Sequence, residues 1–279
     1  MKAEDCIKEA RLDDALAAAQ DAARNDPANP EFRALLYQLF CVRGEWDRAL
    51  TQINVLGDLK PKDLIMVEFY RNAIRCEALR DQVFAGKRTP LMLGEPAEWM
   101  GWMVQAVGHH ARGEHAAAAA LRDRAFEAAP AIEGTVNGQP FEWFADTDHR
   151  LGPIVEIIMQ GKYYWVPAGH ISAIKIEPPG SLRDVVWAQA EFIWTNGGKG
   201  VGLIPVRYPG TVSSGDDEEK LSRKTSFQDF EGDYCTGLGQ RMFATDVGEF
   251  SMLETQLITL GPQDDAQEDA EHPKAEAHG

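Results

Sequence analysis

The chain has 279 residues, 44% of them hydrophobic, enough for about two domains with a sizeable core. Its 28 Lys and Arg stand against 44 Asp and Glu, a net charge of −16. Such a surface repels nucleic-acid backbones and anionic lipid, so neither a nucleic-acid partner nor membrane-surface binding is expected.

The N-terminus, Met1-Lys-Ala-Glu-Asp-Cys6, is charged and lacks the apolar run of a secretory signal. No stretch approaches the roughly 20 apolar residues that span a membrane, so no membrane insertion is expected. Cys6, Cys41, Cys76 and Cys235 form no Cys-x-x-Cys pair and read as free, mostly buried thiols of a reducing, cytoplasmic compartment.

Up to about residue 130, Ala, Leu, Arg and Glu dominate and apolar residues recur at three and four. This predicts helices over 3–24, 31–42, 46–56, 62–84, 96–111 and 115–128. The helical part also repeats. Gly44, Trp46, Ala49, Leu50, Ile53 and Pro61 correspond, 34 residues earlier, to Ala10, Leu12, Ala15, Leu16, Ala19 and Pro27. They correspond, 69 residues later, to Gly113, His115, Ala118, Ala119, Arg122 and Pro130. A period of 34 residues is that of tetratricopeptide helix hairpins. The small residue lets the chain turn, the Ala lets two helices cross closely, and the Pro ends the second helix. The segment from Lys62 to Arg112 is then a degenerate or longer unit.

Two candidate binding surfaces follow. Met100, Met103, Val107 and His110 share a helix face that, with Gln38 and Cys41, would line the concave side of the repeats. Methionines there suit an adaptable peptide groove. The alternative is that this face packs on the second half of the chain.

Beyond residue 130, Gly, Pro, Val, Ile, Thr and aromatics come in short alternating runs. Thr135-Val-Asn-Gly-Gln-Pro140 reads as a turn into a β-rich region. Residues 154–159 and 162–166 read as a hairpin across Gln160-Gly161, and 171–176 as a strand stopped by Glu177-Pro-Pro-Gly180. Residues 184–194 and 199–206 pair across Asn196-Gly-Gly, and 239–245 with 250–260 make a last pair. Residues 213–219 read as a solvated loop, and the acidic tail 263–279 as disordered. The second candidate surface is an aromatic patch of Tyr163, Tyr164 and Trp165, with His170 nearby. Three consecutive aromatics on a strand place at least one outward; the alternative is a strand buried on both faces, between the sheet and the repeats.

No sequence signature of catalysis stands out. Gly197-Gly-Lys-Gly-Val-Gly202 lies between strands, with no helix to receive a phosphate. The adjacent His109 and His110 point about 100° apart on a helix and chelate poorly. Asp146, Asp148 and His149 have ligand chemistry at close spacing, which keeps a metal-assisted enzyme as an alternative. Turn-capping by the same Asp side chains explains them equally well. The expectation is no cofactor and no metal.

Tyr163-Tyr-Trp-Val-Pro-Ala-Gly-His-Ile171, Ile176-Glu-Pro-Pro-Gly-Ser-Leu-Arg-Asp-Val-Val-Trp187 and Gly202-Leu-Ile-Pro-Val-Arg-Tyr-Pro-Gly-Thr211 resemble segments of a known family. So do Gly237-Leu-Gly-Gln-Arg-Met-Phe243 and the N-terminal Ala10-Arg-Leu-Asp-Asp-Ala-Leu16. They are those of the type VI secretion accessory proteins of the ImpE/SciE/TagJ family, and the likeness covers roughly residues 3–260. One segment departs: Leu221-Ser-Arg-Lys-Thr-Ser-Phe227 stands where the family carries a basic run ending in an acid and Trp. The resemblance implies a cytoplasmic, non-enzymatic adaptor. Its partners would be a helix of the small sheath subunit and the AAA+ ATPase that disassembles contracted sheath. A purely structural assembly component remains a further alternative. The expected architecture is α+β: tetratricopeptide-like repeats over 1–130, a small antiparallel β-rich domain over 131–262, and the tail.

Overall fold

The computed structural model describes residues 2–95 and 97–262; the tail, expected to be disordered, lies outside the described residues. The helices are α1 (Ala3–Lys8), α2 (Leu12–Asn25), α3 (Pro30–Arg43), α4 (Trp46–Leu59) and α5 (Leu64–Phe84). After a two-residue strand β1 (Leu91–Met92) come α6 (Glu98–Ala111) and α7 (His115–Ala128). The repeat is visible in the backbone itself. Its three turn positions, Ala10, Gly44 and Gly113, all lie in the left-handed region, with φ of 52°, 69° and 76°. The three crossing alanines, Ala15, Ala49 and Ala118, are each 0% exposed. Thus 3–24 is not one helix: it breaks at Ala10 because that residue holds the position the repeat reserves for its hairpin turn. Gly44 caps α3, with the Glu45 N–H donating to Phe40 O at 2.9 Å. The degenerate unit is α5, whose hairpin partner is missing. β1 and its flanking loops follow instead.

The second half contains β2 (Gly134–Val136), β3 (Gln139–Phe141), β4 (Phe144–Asp146), β5 (Ile154–Met159), β6 (Lys162–Pro167), β7 (Ile171–Ile176), β8 (Trp187–Trp194) and β9 (Lys199–Pro205). The helical turns α8 (Thr211–Ser214) and α9 (Asp217–Lys220) follow. The chain then forms β10 (Thr225–Phe230), β11 (Tyr234–Gly239), β12 (Met242–Thr245), β13 (Gly248–Ser251) and β14 (Leu257–Leu260). Among the described residues, one sheet runs β1-β6-β5-β9-β8-β7-β14-β2-β3. All its pairings are antiparallel except β1 with β6. β10–β11 and β13–β12–β4 make smaller sheets.

The predicted hairpins sit on their turn residues. Gln160-Gly161 and Asn137-Gly138 take positive φ at both positions, matching the twist of the flanking strands. Three readings are corrected. Residues 213–219 are not a free loop, because Asp216 and Glu219 form a reciprocal capping box that starts α9, and Glu219 is buried. Residues 184–186 precede rather than begin β8, since Asp184 caps a 3₁₀ turn over Leu182–Val185. The last predicted pair splits. β12 pairs with β13, and after a 3₁₀ turn over Met252–Glu254 the chain enters the large sheet as β14.

The large sheet is buried on both faces, which is why β5 reads as a nearly continuous apolar run. One face, with Ile154, Ile158, Tyr163, Trp165, Trp187 and Leu203, shares a single hydrophobic cluster with the helices. The other, with Val155, Ile157, Ile174, Phe192, Ile204 and Ile258, packs on Phe144 and Phe243.

Candidate functional site

The concave side of the repeats is not an open groove. Met100, Met103 and Val107 are 0–1% exposed and belong to the same buried cluster as Trp165 and Trp187. His110 is half-buried against His115, Phe230 and Tyr234, with ring centroids 5.0–5.2 Å away. Burial, with the positive charge of Arg150, lowers its pKa to about 4, so the ring is neutral at pH 7. Gln38 and Cys41 are covered by the chain's own second half. The Arg183 N–H donates to Gln38 Oε1 at 3.1 Å, and Arg207 Nη2 donates to Cys41 O at 3.0 Å. The face is apolar because it is core.

Two arginines make this closure. Arg183 lies 4.3 Å above the Tyr70 ring and donates to Tyr37 Oη. Asp184 beside it holds the Pro-Pro-Gly corner by accepting from the N–H groups of Gly180 and Ser181. Arg207 donates to Cys41 O and Val42 O at the C-terminal end of α3 and to Lys220 O. A cation is favoured there because the helix's last carbonyls lack partners. Burial nonetheless lowers this guanidinium to about 10. Trp187 Nε1 donates to Glu77 Oε1 at 2.8 Å, tying β8 to α5.

Beneath this seam runs a buried charge network. Glu156 accepts from Arg80 Nε at 2.7 Å and Nη2 at 2.9 Å, and also from Arg241 and the Tyr163 hydroxyl. Arg241 continues to Asp146. A cleft of about 510 Å³ opens over it, with Trp46, Arg80, Phe84, Arg150 and Arg207 among its walls. Those guanidinium groups are already engaged, Arg80 by Glu156, Arg150 by Asp148 and Arg207 by backbone carbonyls.

The aromatic patch does not form either. Tyr163 and Trp165 are 0% exposed, and Trp165 Nε1 donates to Tyr163 Oη at 2.6 Å. Only Tyr164 points away from the helices, and it is half-buried against the other core cluster. His170 sits with Nδ1 3.2 Å from Leu93 O. Of the possible metal ligands, Asp146 pairs with Arg241, and Asp148 pairs with Arg150 and accepts from Gly237 N. His149 Nδ1 faces Arg122 and Cys235 N. Among the described residues no group of three His, Cys, Asp or Glu could hold a metal ion. None of their helices is long and apolar enough to cross a membrane.

Two open apolar grooves lie elsewhere. The first, about 460 Å³, runs between the start of α5 and the sheet, lined by Leu64, Ile65 and Phe69 on one side and Ile158 and Leu203 on the other. Leu64 is 52% and Ile65 89% exposed. Val201, two residues before Leu203 and so on the same face of β9, is 66% exposed and extends the surface. The second, about 600 Å³, lies between α5 and α6. Helical periodicity alone marks neither, because both walls of each groove come from distant segments.

Residues 138–259 match the ImpE protein family. The chain is 46% identical over 266 residues to the type VI secretion system accessory component TagJ of Pseudomonas aeruginosa, covering 95% of this chain and 92% of that one. The crystal structure of protein VPA1032 from Vibrio parahaemolyticus has the same fold, with a TM-score of 0.86. It is 24% identical, and the likeness covers 94% of this chain and 98% of that one. With nearly the whole length of a curated relative matched at that identity, the chain belongs to the ImpE/TagJ family of type VI secretion accessory proteins.

Proposed function

We propose that this chain is a non-enzymatic, cytoplasmic adaptor of a type VI secretion machine. It binds an amphipathic helix of the small sheath subunit and links sheath to the AAA+ disassembly ATPase. The observation that carries the binding mode is the apolar groove at the start of α5, where Leu64, Ile65 and Val201 are exposed around a floor of Ile158 and Leu203. Exposed Leu, Ile and Val clustered beside a ready-made trough are what a helix with apolar anchors at i, i+3, i+4 and i+7 fills. Asp146, Asp148 and His149 are spent on bonds within the protein, which supports the adaptor over the metal-assisted enzyme. Burial of Tyr163 and Trp165 likewise weighs against an aromatic subunit interface.

Calorimetric titration with the purified small sheath subunit tests this reading. Ile65→Asp combined with Val201→Asp should weaken binding by about 2 kcal/mol or more, roughly 30-fold. Both side chains face solvent, and an Asp in the first turn of α5 suits the helix dipole, so the fold should survive. Unchanged affinity in a folded double variant would eliminate this groove. No complex of the unaltered chain with the sheath subunit would eliminate the adaptor.

A further inference from the structure

The second groove is where a helix is missing. α2 packs on both α1 and α3, and α4 on both α3 and α5; each second helix of a hairpin fills the space between two successive first helices. After α5 that element does not exist, and the chain runs through β1 directly to α6. The unfilled space is the groove of about 600 Å³. Leu79 lines it from α5, above the buried Val83. Val104 lines it from α6, and the buried Val107 and Trp165 form its floor. Leu91, 46% exposed, stands at the edge. Lys87 and Arg88 also line it, both exposed and with no ion pair among the described residues. Two exposed cations beside an apolar trough favour acidic groups in what enters it.

We propose that this vacancy is a second docking site, taking an amphipathic helix from a partner protein whose apolar stripe is flanked by acidic residues. The incoming helix completes the interrupted repeat, its apolar stripe on Leu79, Leu91 and Val104 and its carboxylates on Lys87 and Arg88. The site is separate from the groove at Leu64 and Ile65, so both can be occupied at once.

Two synthetic helical peptides of about five turns, sharing one apolar stripe, test it. One carries Glu at the flanking positions and the other Lys. Binding to the full chain is followed by fluorescence anisotropy. The Glu peptide should bind about tenfold more tightly, a gap that narrows as ionic strength rises. K87E with R88E should invert the preference. Val104→Glu, and independently Leu91→Glu should Val104→Glu misfold, should abolish binding of both peptides. Ile65→Asp should leave the Glu peptide's affinity unchanged, which separates this site from the proposed sheath groove. Equal binding of the two peptides, a preference that survives charge reversal, sensitivity to Ile65→Asp, or no binding of either peptide would each overturn the proposal.

Discussion

Replacing Glu156 with alanine should lower the unfolding free energy by about 3–5 kcal/mol, read from the denaturant midpoint. The carboxylate is fully buried and accepts from two guanidinium groups and a phenol. Its removal takes from Arg80 and Arg241 one of the charges that compensate their desolvation, leaving Arg80 with Glu77 at 3.4 Å. Arg80 keeps a backbone acceptor, Arg207 O, and Arg241 keeps Asp146, so the loss stops short of two bare cations. Glu156→Gln retains the shape and isolates the charge. Burial alone would raise the Glu156 pKa, but Arg80 and Arg241 outweigh it and hold the carboxyl at about 2. That is below the roughly 4.3 of an unfolded Glu. The stability this group contributes is therefore complete above about pH 4.3 and lost as pH falls toward 2. Glu156→Gln should remove that part of the acid limb. Equal acid sensitivity in the variant and the unaltered chain would show that the pairing contributes nothing.

Met103→Asp should remove most of the chain's stability, on the order of 5 kcal/mol, because it places an unpaired carboxylate at a position with no solvent contact. Met103→Leu, which nearly conserves volume, should cost less than about 1.5 kcal/mol. Thermal unfolding of the two variants side by side checks the pair. A folded, stable Met103→Asp chain would mean that α6 does open to solvent. The contrast with Ile65 matters for any binding assay. Loss of a partner on Met103→Asp reports unfolding, whereas loss on Ile65→Asp reports the surface.

The repeat was legible because it is local. Ala10, Gly44 and Gly113 announce themselves by spacing, and their shared backbone conformation follows from the turn each must make. Hairpins at Asn137-Gly138 and Gln160-Gly161 were legible for the same reason. The capping pair Asp216 and Glu219 was present in the sequence and is the signal that would have turned 213–219 from loop into helix. β1 had no such signal, since two residues carry no periodicity and their pairing with Tyr164 and Trp165 is distant in sequence. The faces of the helices were readable but not what covers them. Met100, Met103 and Val107 form an apolar stripe in either case, and only the later half of the chain decides that the stripe is interior. Arg183 and Asp184 read as an internal ion pair at the Pro-Pro-Gly corner, and they do pair, at 3.5 Å, but what Arg183 and Arg207 pack against does not show in the sequence. Their burial depends on the Tyr70 ring and on carbonyls at the end of α3, which no pattern in the neighbouring sequence encodes.

The corner at Gly180–Val185 wedges into the hollow of the helices, with Arg183 against Tyr70 and Arg207 holding the end of α3. A fragment cut after residue 130 would therefore bare Tyr37, Tyr70 and Met103, a sticky face that the whole molecule never presents, and would capture proteins on that account alone. In the intact chain the same wedge joins helices and sheet around one core.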